Sequence, residues 1–95
     1  MSYELAFKKS ALKEWKKLGT TVQAQLKKKL AEVVENPRVQ SNKLSGAVNL
    51  YKIKLRQSGY RLVYEVNDDV ITITVIAIGK REGGKVYPTA LKRTN

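Results

Sequence analysis

The sequence predicts a small α+β domain in the order β-α-α-β-β-β, with two helices packed on one face of an antiparallel sheet and a short C-terminal helix or tail. Three observations predict it. The chain has 95 residues, the size of one domain, so residues 1–95 form a single unit. Residues 20–36 carry apolar side chains at helical spacing, and residues 50–79 alternate apolar and polar positions in three runs separated by turn residues.

The elements follow in order. Tyr3, Leu5 and Phe7 alternate against polar neighbours, which predicts a strand over Ser2 to Lys8. Leu12, Trp15 and Leu18 recur three apart and predict a short helix over Ser10 to Leu18, stopped by Gly19. Thr20 and Gln23 have the spacing of a capping box at the start of a second helix. Val22, Leu26, Leu30, Val33 and Val34 line its buried face, and it ends before Pro37. Arg38 to Asn49 reads as a loop. Strands are predicted over Leu50 to Arg56, Tyr60 to Val66 and Val70 to Gly79, joined across Q-S-G and N-D-D. The last segment, G-G-K-V-Y-P-T-A-L-K-R, is either a short helix or extended, and Pro88 permits a helix only from its first turn.

Strand alternation then sorts the cations. Tyr51, Ile53 and Leu55 face the core, which leaves Lys52, Lys54 and Arg56 on the opposite face. On the next strand Tyr60, Leu62, Tyr64 and Val66 are the core set, leaving Arg61, Val63 and Glu65. A register pairing Lys54 or Arg56 with Arg61 keeps both core sets together, and a slip of one residue would mix them. Lys52, Lys54 and Arg61 are therefore expected on one open sheet face, with Arg56 at the rim. Thr72 and Thr74 are expected on that face too, and Ile71, Ile73, Val75 and Ala77 in the core. Neighbouring like charges destabilise a sheet, so the trio points to an anion site. A second cationic strip, G-K-R-E-G-G-K-V-Y, delivers Lys80, Arg81, Lys85 and Tyr87. Its glycine spacing is that of neither a dinucleotide nor a Walker motif. Lys27-Lys28-Lys29 fans around a helix and reads as a solvated face.

Composition narrows the chemistry. Nineteen Lys and Arg against eight Asp and Glu give a net charge of +11, which implies a polyanionic partner, nucleic acid above all. The absence of cysteine excludes disulfides and thiolate metal sites. The absence of histidine removes the commonest general acid–base group. Nuclease chemistry here must therefore use Lys, Arg, Tyr or the few carboxylates. No carboxylate cluster suggests a metal site, and no cofactor is expected. The start lacks the apolar run of a signal peptide, and Val70 to Ile78 is too short to span a membrane. A soluble cytoplasmic protein without membrane contact is expected.

Several motifs together resemble the RelE-type toxins of bacterial toxin–antitoxin pairs. They are A-L-K-E-W-K-K-L-G, Q-L-K-K-K-L, N-P-R, N-K-L-x-G, Y-K-I-K-L-R-x-S-G-Y-R-L-V-Y, I-G-K-R-E and V-Y near the C terminus, in an order that runs essentially end to end. The resemblance implies a ribosome-dependent endoribonuclease. Its partners would be the mRNA and 16S rRNA in the aminoacyl site of the 70S ribosome, and a cognate acidic RelB-like antitoxin that wraps it. The catalytic positions implied are Lys52, Lys54, Arg61, Arg81 and Tyr87, each of the residue type the pattern requires. Further contacts with RNA and ribosome are assigned to Lys80, Lys85, Arg56, Lys43, Lys13 and Lys17. The chain departs from the pattern at Ser45, where close relatives have arginine, and at Gly83, where relatives can carry another basic residue.

The implied reaction is attack of a ribose 2′-hydroxyl on its own 3′-phosphate, leaving a cyclic phosphate and a 5′-hydroxyl. Clustered cations lower one another's proton affinity, so Lys52 or Lys54 is the expected base, with Lys54 also a potential proton donor. Arg61 and Arg81 would hold the phosphate, and Tyr87 would stack on the nucleotide. Two rival readings remain: a gyrase-inhibiting toxin of the ParE type, expected to lack several of these five residues, and an RNA-binding module without catalysis.

Overall fold

The structure is a computed structural model that describes residues 2–82 and 84–94. The elements are β1 (Glu4–Phe7), α1 (Lys9–Lys16), α2 (Thr20–Val33), a 3-10 turn (Gln40–Asn42), β2 (Leu50–Lys54), β3 (Tyr60–Asn67), β4 (Thr72–Lys80) and α3 (Val86–Thr94). The strands form one sheet of four in the order β1-β4-β3-β2. The C-terminal segment is thus a helix, with Pro88 in its first turn, where its missing N–H costs no bond. One pairing departs from the antiparallel expectation. β1 runs parallel to β4, because the α1–α2 hairpin and the β2–β3 hairpin intervene between them.

The β2–β3 register is the one that keeps the aromatic core together. Tyr51 lies opposite Tyr64, their rings stacked with centroids 5.7 Å apart, and Lys54 lies opposite Arg61. Burial pushes the Tyr64 phenol well above its ordinary pKa, so it stays a donor, and it donates to the Pro37 carbonyl at 2.8 Å. That bond pins the entry of the loop that follows α2.

Both faces of the sheet are covered. On one, Ala11, Leu26, Leu30 and Val33 of α1 and α2 pack against Tyr51, Ile53, Leu62, Tyr64, Ile73, Val75 and Ile78. On the other, Val86 and Ala90 of α3 pack against Leu44, Leu50, Val63, Ile76 and Ala77. The face expected to be open is therefore capped by α3 over Val63, Ile76 and Ala77, and at the end carrying the hairpin cations Lys54 is exposed while Lys52 and Arg61 are half-buried. A switch of this kind needs a change of phase in β4. Val63 pairs with Ala77 but Tyr64 pairs with Val75, so Ile76 is an extra residue, a β-bulge. Ile76 and Ala77 both turn to α3, and Ile78 returns to the α1–α2 side. Ala77 was expected among the α1–α2 core, and the bulge moves it to the other one. Gly79 then lies against α3, where a Cβ would meet the Val86 Cγ2 at 2.9 Å.

Other expectations shift at element ends. Strand β1 is shorter than Ser2 to Lys8. β2 stops at Lys54 rather than Arg56, and β4 begins at Thr72 rather than Val70. Ile71, expected in the core, sits in the β3–β4 turn with φ +48° and is 39% exposed. On α1 the buried residue is Ala11, while Leu12 is exposed, because Ala11 and Glu14 form the stripe that faces β4. The capping box does not form. Gly19 is the N-cap of α2, and the Gln23 carboxamide donates instead to the Trp15 carbonyl at 2.8 Å, stapling α2 to the end of α1.

Candidate functional site

Lys52, Lys54 and Arg61 are delivered by the β2–β3 hairpin, and α3 delivers Tyr87 onto them. The Arg61 Nη1 donates to the Tyr87 hydroxyl at 3.0 Å. The same guanidinium lies over the Tyr87 ring, with Cζ 5.3 Å from the centroid, and the Lys52 ammonium lies 5.6 Å from that centroid. Both cations lie within reach of the ring's π face, to which positive charge is attracted. Tyr87 stands there because Val86, one residue earlier, fills the space above Gly79, directly opposite Arg61 in the β3–β4 register.

Lys54 is exposed, and its ammonium is held below the ordinary lysine pKa. The Lys52 charge is the chief cause, followed by desolvation and by the charges of Arg61, Arg56 and Arg81. Arg81 lies just past β4, where its backbone N–H donates to the Gly59 carbonyl at 2.6 Å across the mouth of the hairpin. Gly59 has φ +75°, a conformation that glycine adopts without penalty. The turn thus sets Arg81 beside the hairpin cations. Of the side chains expected to act together, the structure brings Lys52, Lys54, Arg61, Arg81 and Tyr87 to one end of the sheet, with Arg56 at the rim.

The remaining cations are spread around this cluster. Lys80 turns to the α1–α2 side of the sheet, its ammonium 5.6 Å from the Tyr60 ring centroid. Lys85 lines a shallow depression with Glu14, Glu82 and Thr89. Lys13 and Lys17 are exposed on and just beyond α1, and Lys43 is exposed where it bridges to Tyr51. Ser45 is exposed in the turn before β2, and Gly83 lies outside the described residues.

Sequence reasoning missed a polar cavity of about 710 Å³ that opens onto Lys52 and Lys54. Its far wall includes Glu32, Asn36 and Asn42. The available signal is the three-residue step from Lys29 to Glu32, which puts both on one side of α2, although the run Lys27-Lys28-Lys29 by itself reads as a solvated face.

Among the described residues no group of three or more His, Cys, Asp or Glu is placed to hold a metal ion. No helix among them is long and apolar enough to cross a membrane.

The family model for the ParE toxin of type II toxin–antitoxin systems, parDE, matches residues 5–83. The chain belongs to this family, as a RelE-type toxin. It is 59% identical over 93 residues to the mRNA interferase toxin RelE of Escherichia coli K12, covering 98% of each chain. It is 50% identical over 93 residues to a putative RelE-like toxin protein of Escherichia coli, again over 98% of each. Among solved structures, a double-arginine-to-alanine mutant of E. coli RelE in the free state superposes with a TM-score of 0.92 at 57% identity, over 100% of both chains. The toxin in the intact E. coli RelBE toxin–antitoxin complex matches at 0.83 and 59% identity, over 85% of this chain and 99% of that one.

Proposed function

We propose that this toxin is a ribosome-dependent endoribonuclease that cuts mRNA in the ribosomal aminoacyl site, without a metal, and that a RelB-like antitoxin silences it. The observation that carries the reading is the cluster itself: one lysine with a depressed pKa, two arginines and a tyrosine, gathered at the sheet end where α3 begins. The 59% identical relative is named an mRNA interferase, and a similar solved chain is the toxin of a RelBE complex.

The chemistry follows from the residues. Lys54 takes the proton of the ribose 2′-hydroxyl. The 2′-oxygen attacks the adjacent phosphorus, the bond from phosphorus to the 5′-oxygen breaks, and a 2′,3′-cyclic phosphate remains. Lys54, once protonated, is the available acid for the departing 5′-oxygen. What supports Lys54 as the base is that its proton affinity is depressed, chiefly by the Lys52 charge. Arg61 and Arg81 meet the negative charge that builds on the phosphate. Tyr87 offers a ring for the nucleotide and holds Arg61 in place. A cluster without histidine or carboxylate is a weak catalyst by itself, which fits dependence on the 16S rRNA and the ribosome to position the mRNA.

The test compares cleavage of free mRNA with cleavage of the same mRNA on 70S ribosomes with a vacant aminoacyl site. Cleavage on ribosomes alone is expected, and equal rates on free RNA would overturn the reading. Arg81→Ala should reduce the cleavage rate steeply while ribosome binding is nearly retained. The match to the ParE family model favours one second reading, inhibition of gyrase. DNA breaks with intact mRNA in cells expressing the toxin would establish that reading instead.

A further inference from the structure

The polar cavity beside Lys52 and Lys54 plays no part in the reaction described above, yet it is contiguous with it. Lys52, Lys54 and Arg56 form one rim, and Lys29, Glu32, Asn36, Ser41 and Asn42 stand on the other side. The two sides differ in kind. The first presents only cations, suited to phosphate oxygens. The second is mixed: two carboxamides and a hydroxyl, each able to donate and accept, a carboxylate that only accepts, and the Lys29 ammonium that only donates. A phosphate gains more from the all-cationic rim than from one lysine beside the Glu32 carboxylate. A base edge, with N–H donors and ring acceptors, matches the far wall. The volume, about 710 Å³, is within the range of small-ligand sites, about 300–1,000 Å³.

The wall is also fixed. The loop that follows α2 is tied down by the Tyr64 hydroxyl on the Pro37 carbonyl and by Arg38, which donates to Asp68 at 2.6 Å and to Asn49 at 3.3 Å. Asn42 lies in the 3-10 turn, its N–H bonded to the Val39 carbonyl at 2.9 Å. These bonds hold the backbone of the wall, while the Glu32 and Asn36 side chains are exposed and Asn42 is half-buried. A base that covers them removes their water, and a mismatched edge would then leave them unpaired.

We infer that this cavity is a nucleotide subsite: it takes the base of a nucleotide next to the cut, reads its edge with Glu32, Asn36 and Asn42, and leaves its phosphate on Lys52 and Arg56. The inference rests on the ribonuclease reading above. It makes α2 and the 3-10 turn, which contribute nothing to the chemistry, the source of sequence preference.

The experiment measures kcat and KM for purified wild type, Glu32→Gln, Asn36→Ala and Asn42→Ala on ribosomes programmed with a panel of aminoacyl-site codons. Thermal unfolding of each variant confirms the fold, and Glu32→Gln, being isosteric, remains informative if an alanine variant fails to fold. Asn36→Ala and Asn42→Ala should raise KM about threefold to tenfold, the worth of one hydrogen bond, with kcat nearly kept. Glu32→Gln should change the rank order of codons. Wild-type cleavage is read first on the same ribosomes. If wild type does not cut, the ribonuclease reading falls and the subsite with it. If wild type cuts and all three variants keep its KM and codon order, the subsite alone is wrong. A uniform loss of kcat across codons at unchanged KM would also overturn it, since that marks a structural role.

Discussion

Lys54 concentrates the chemistry of the site in one titration. Its ammonium is disfavoured because Lys52, Arg61, Arg56 and Arg81 all place positive charge near it. More of the amine is neutral at a given pH than in a free lysine, so a rate that needs the neutral amine rises with pH at a lower pH than it otherwise would. Removing a neighbouring charge reverses this. In Arg56→Gln the Lys54 pKa should move up, and the rising limb of the pH–rate profile should follow it to higher pH. Added salt should push the same way, since Lys54 is exposed and its neighbours' charges are screened. Nitrogen-detected titration of the Lys54 amine checks both effects, and an amine that does not move would refute the Coulombic account. Tyr87 permits a second test at this scale. Tyr87→Phe loses only the hydroxyl that accepts from Arg61, whereas Tyr87→Ala also loses the ring beside Lys52 and Arg61. A ring that stacks on a base contributes about 1–3 kcal/mol, so the alanine variant should cut about tenfold more slowly than the phenylalanine one. Equal rates in single-turnover assays would assign the whole effect to the hydroxyl.

At the scale of elements, the placement of α3 decides what the site looks like, and Glu14 and Arg93 decide the placement of α3. The β1–β4 pairing ends where the Lys8 N–H meets the Val75 carbonyl. Beyond it, the edge of β4 would leave backbone groups unpaired. The Arg93 guanidinium donates to the Ile76 carbonyl at 2.8 Å, and Glu14 accepts from the Ile78 N–H at 3.1 Å. Glu14 and Arg93 also pair with each other at 2.9 Å, and Lys8 caps the Arg93 carbonyl. This is an ion pair that satisfies a bulged strand edge, not a loose surface contact. Arg93→Ala should therefore destabilise the fold by about 1–3 kcal/mol, the range for bonds to charged groups, and speed hydrogen exchange across α3. Chemical denaturation and exchange measurements test the two parts separately. Gly79→Ala should loosen α3 from its other end, by driving a Cβ into Val86. These devices also mark what the sequence could not show. The hairpin faces were legible, because Tyr51, Ile53, Leu62 and Tyr64 can share one face in only one phase; that left Lys54 or Arg56 opposite Arg61, and the fold takes Lys54. The bulge at Ile76 was not legible, since V-I-T-I-T-V-I-A-I is apolar on both faces beyond Val75 and has no alternation to break. The second cationic strip named Tyr87, but its partnership with Lys52, Lys54 and Arg61 came only from the family resemblance. Its place depends on α3 crossing the sheet, which rests on the long-range contacts of Arg93 and Val86.

For the whole molecule, the net charge of +11 sets how the toxin meets its target. Its cations fall into two populations. Lys13, Lys17, Lys27, Lys28 and Lys43 are exposed and scattered, so they add a diffuse attraction to any polyanion and speed encounter. Lys52, Lys54, Arg56, Arg61 and Arg81 converge on one end of the sheet. In the proposed complex Lys54 is the neutral base, and each of the other four would displace a counterion from RNA. Four such contacts predict a salt slope of about −2.8 on a log–log scale, or a loss of affinity of roughly fiftyfold between about 50 and 200 mM monovalent salt. The scattered cations act at longer range and are screened first, so replacing Lys27 and Lys28 by glutamine should slow association at low salt while barely changing this slope. Replacing Arg56 by glutamine should instead reduce the slope by about one contact. Binding to vacant-site ribosomes, measured across monovalent salt at fixed magnesium, separates the two populations. A slope that fell equally for both kinds of variant would mean that the convergent cluster has no privileged contact with RNA, and that charge alone brings the toxin to the ribosome.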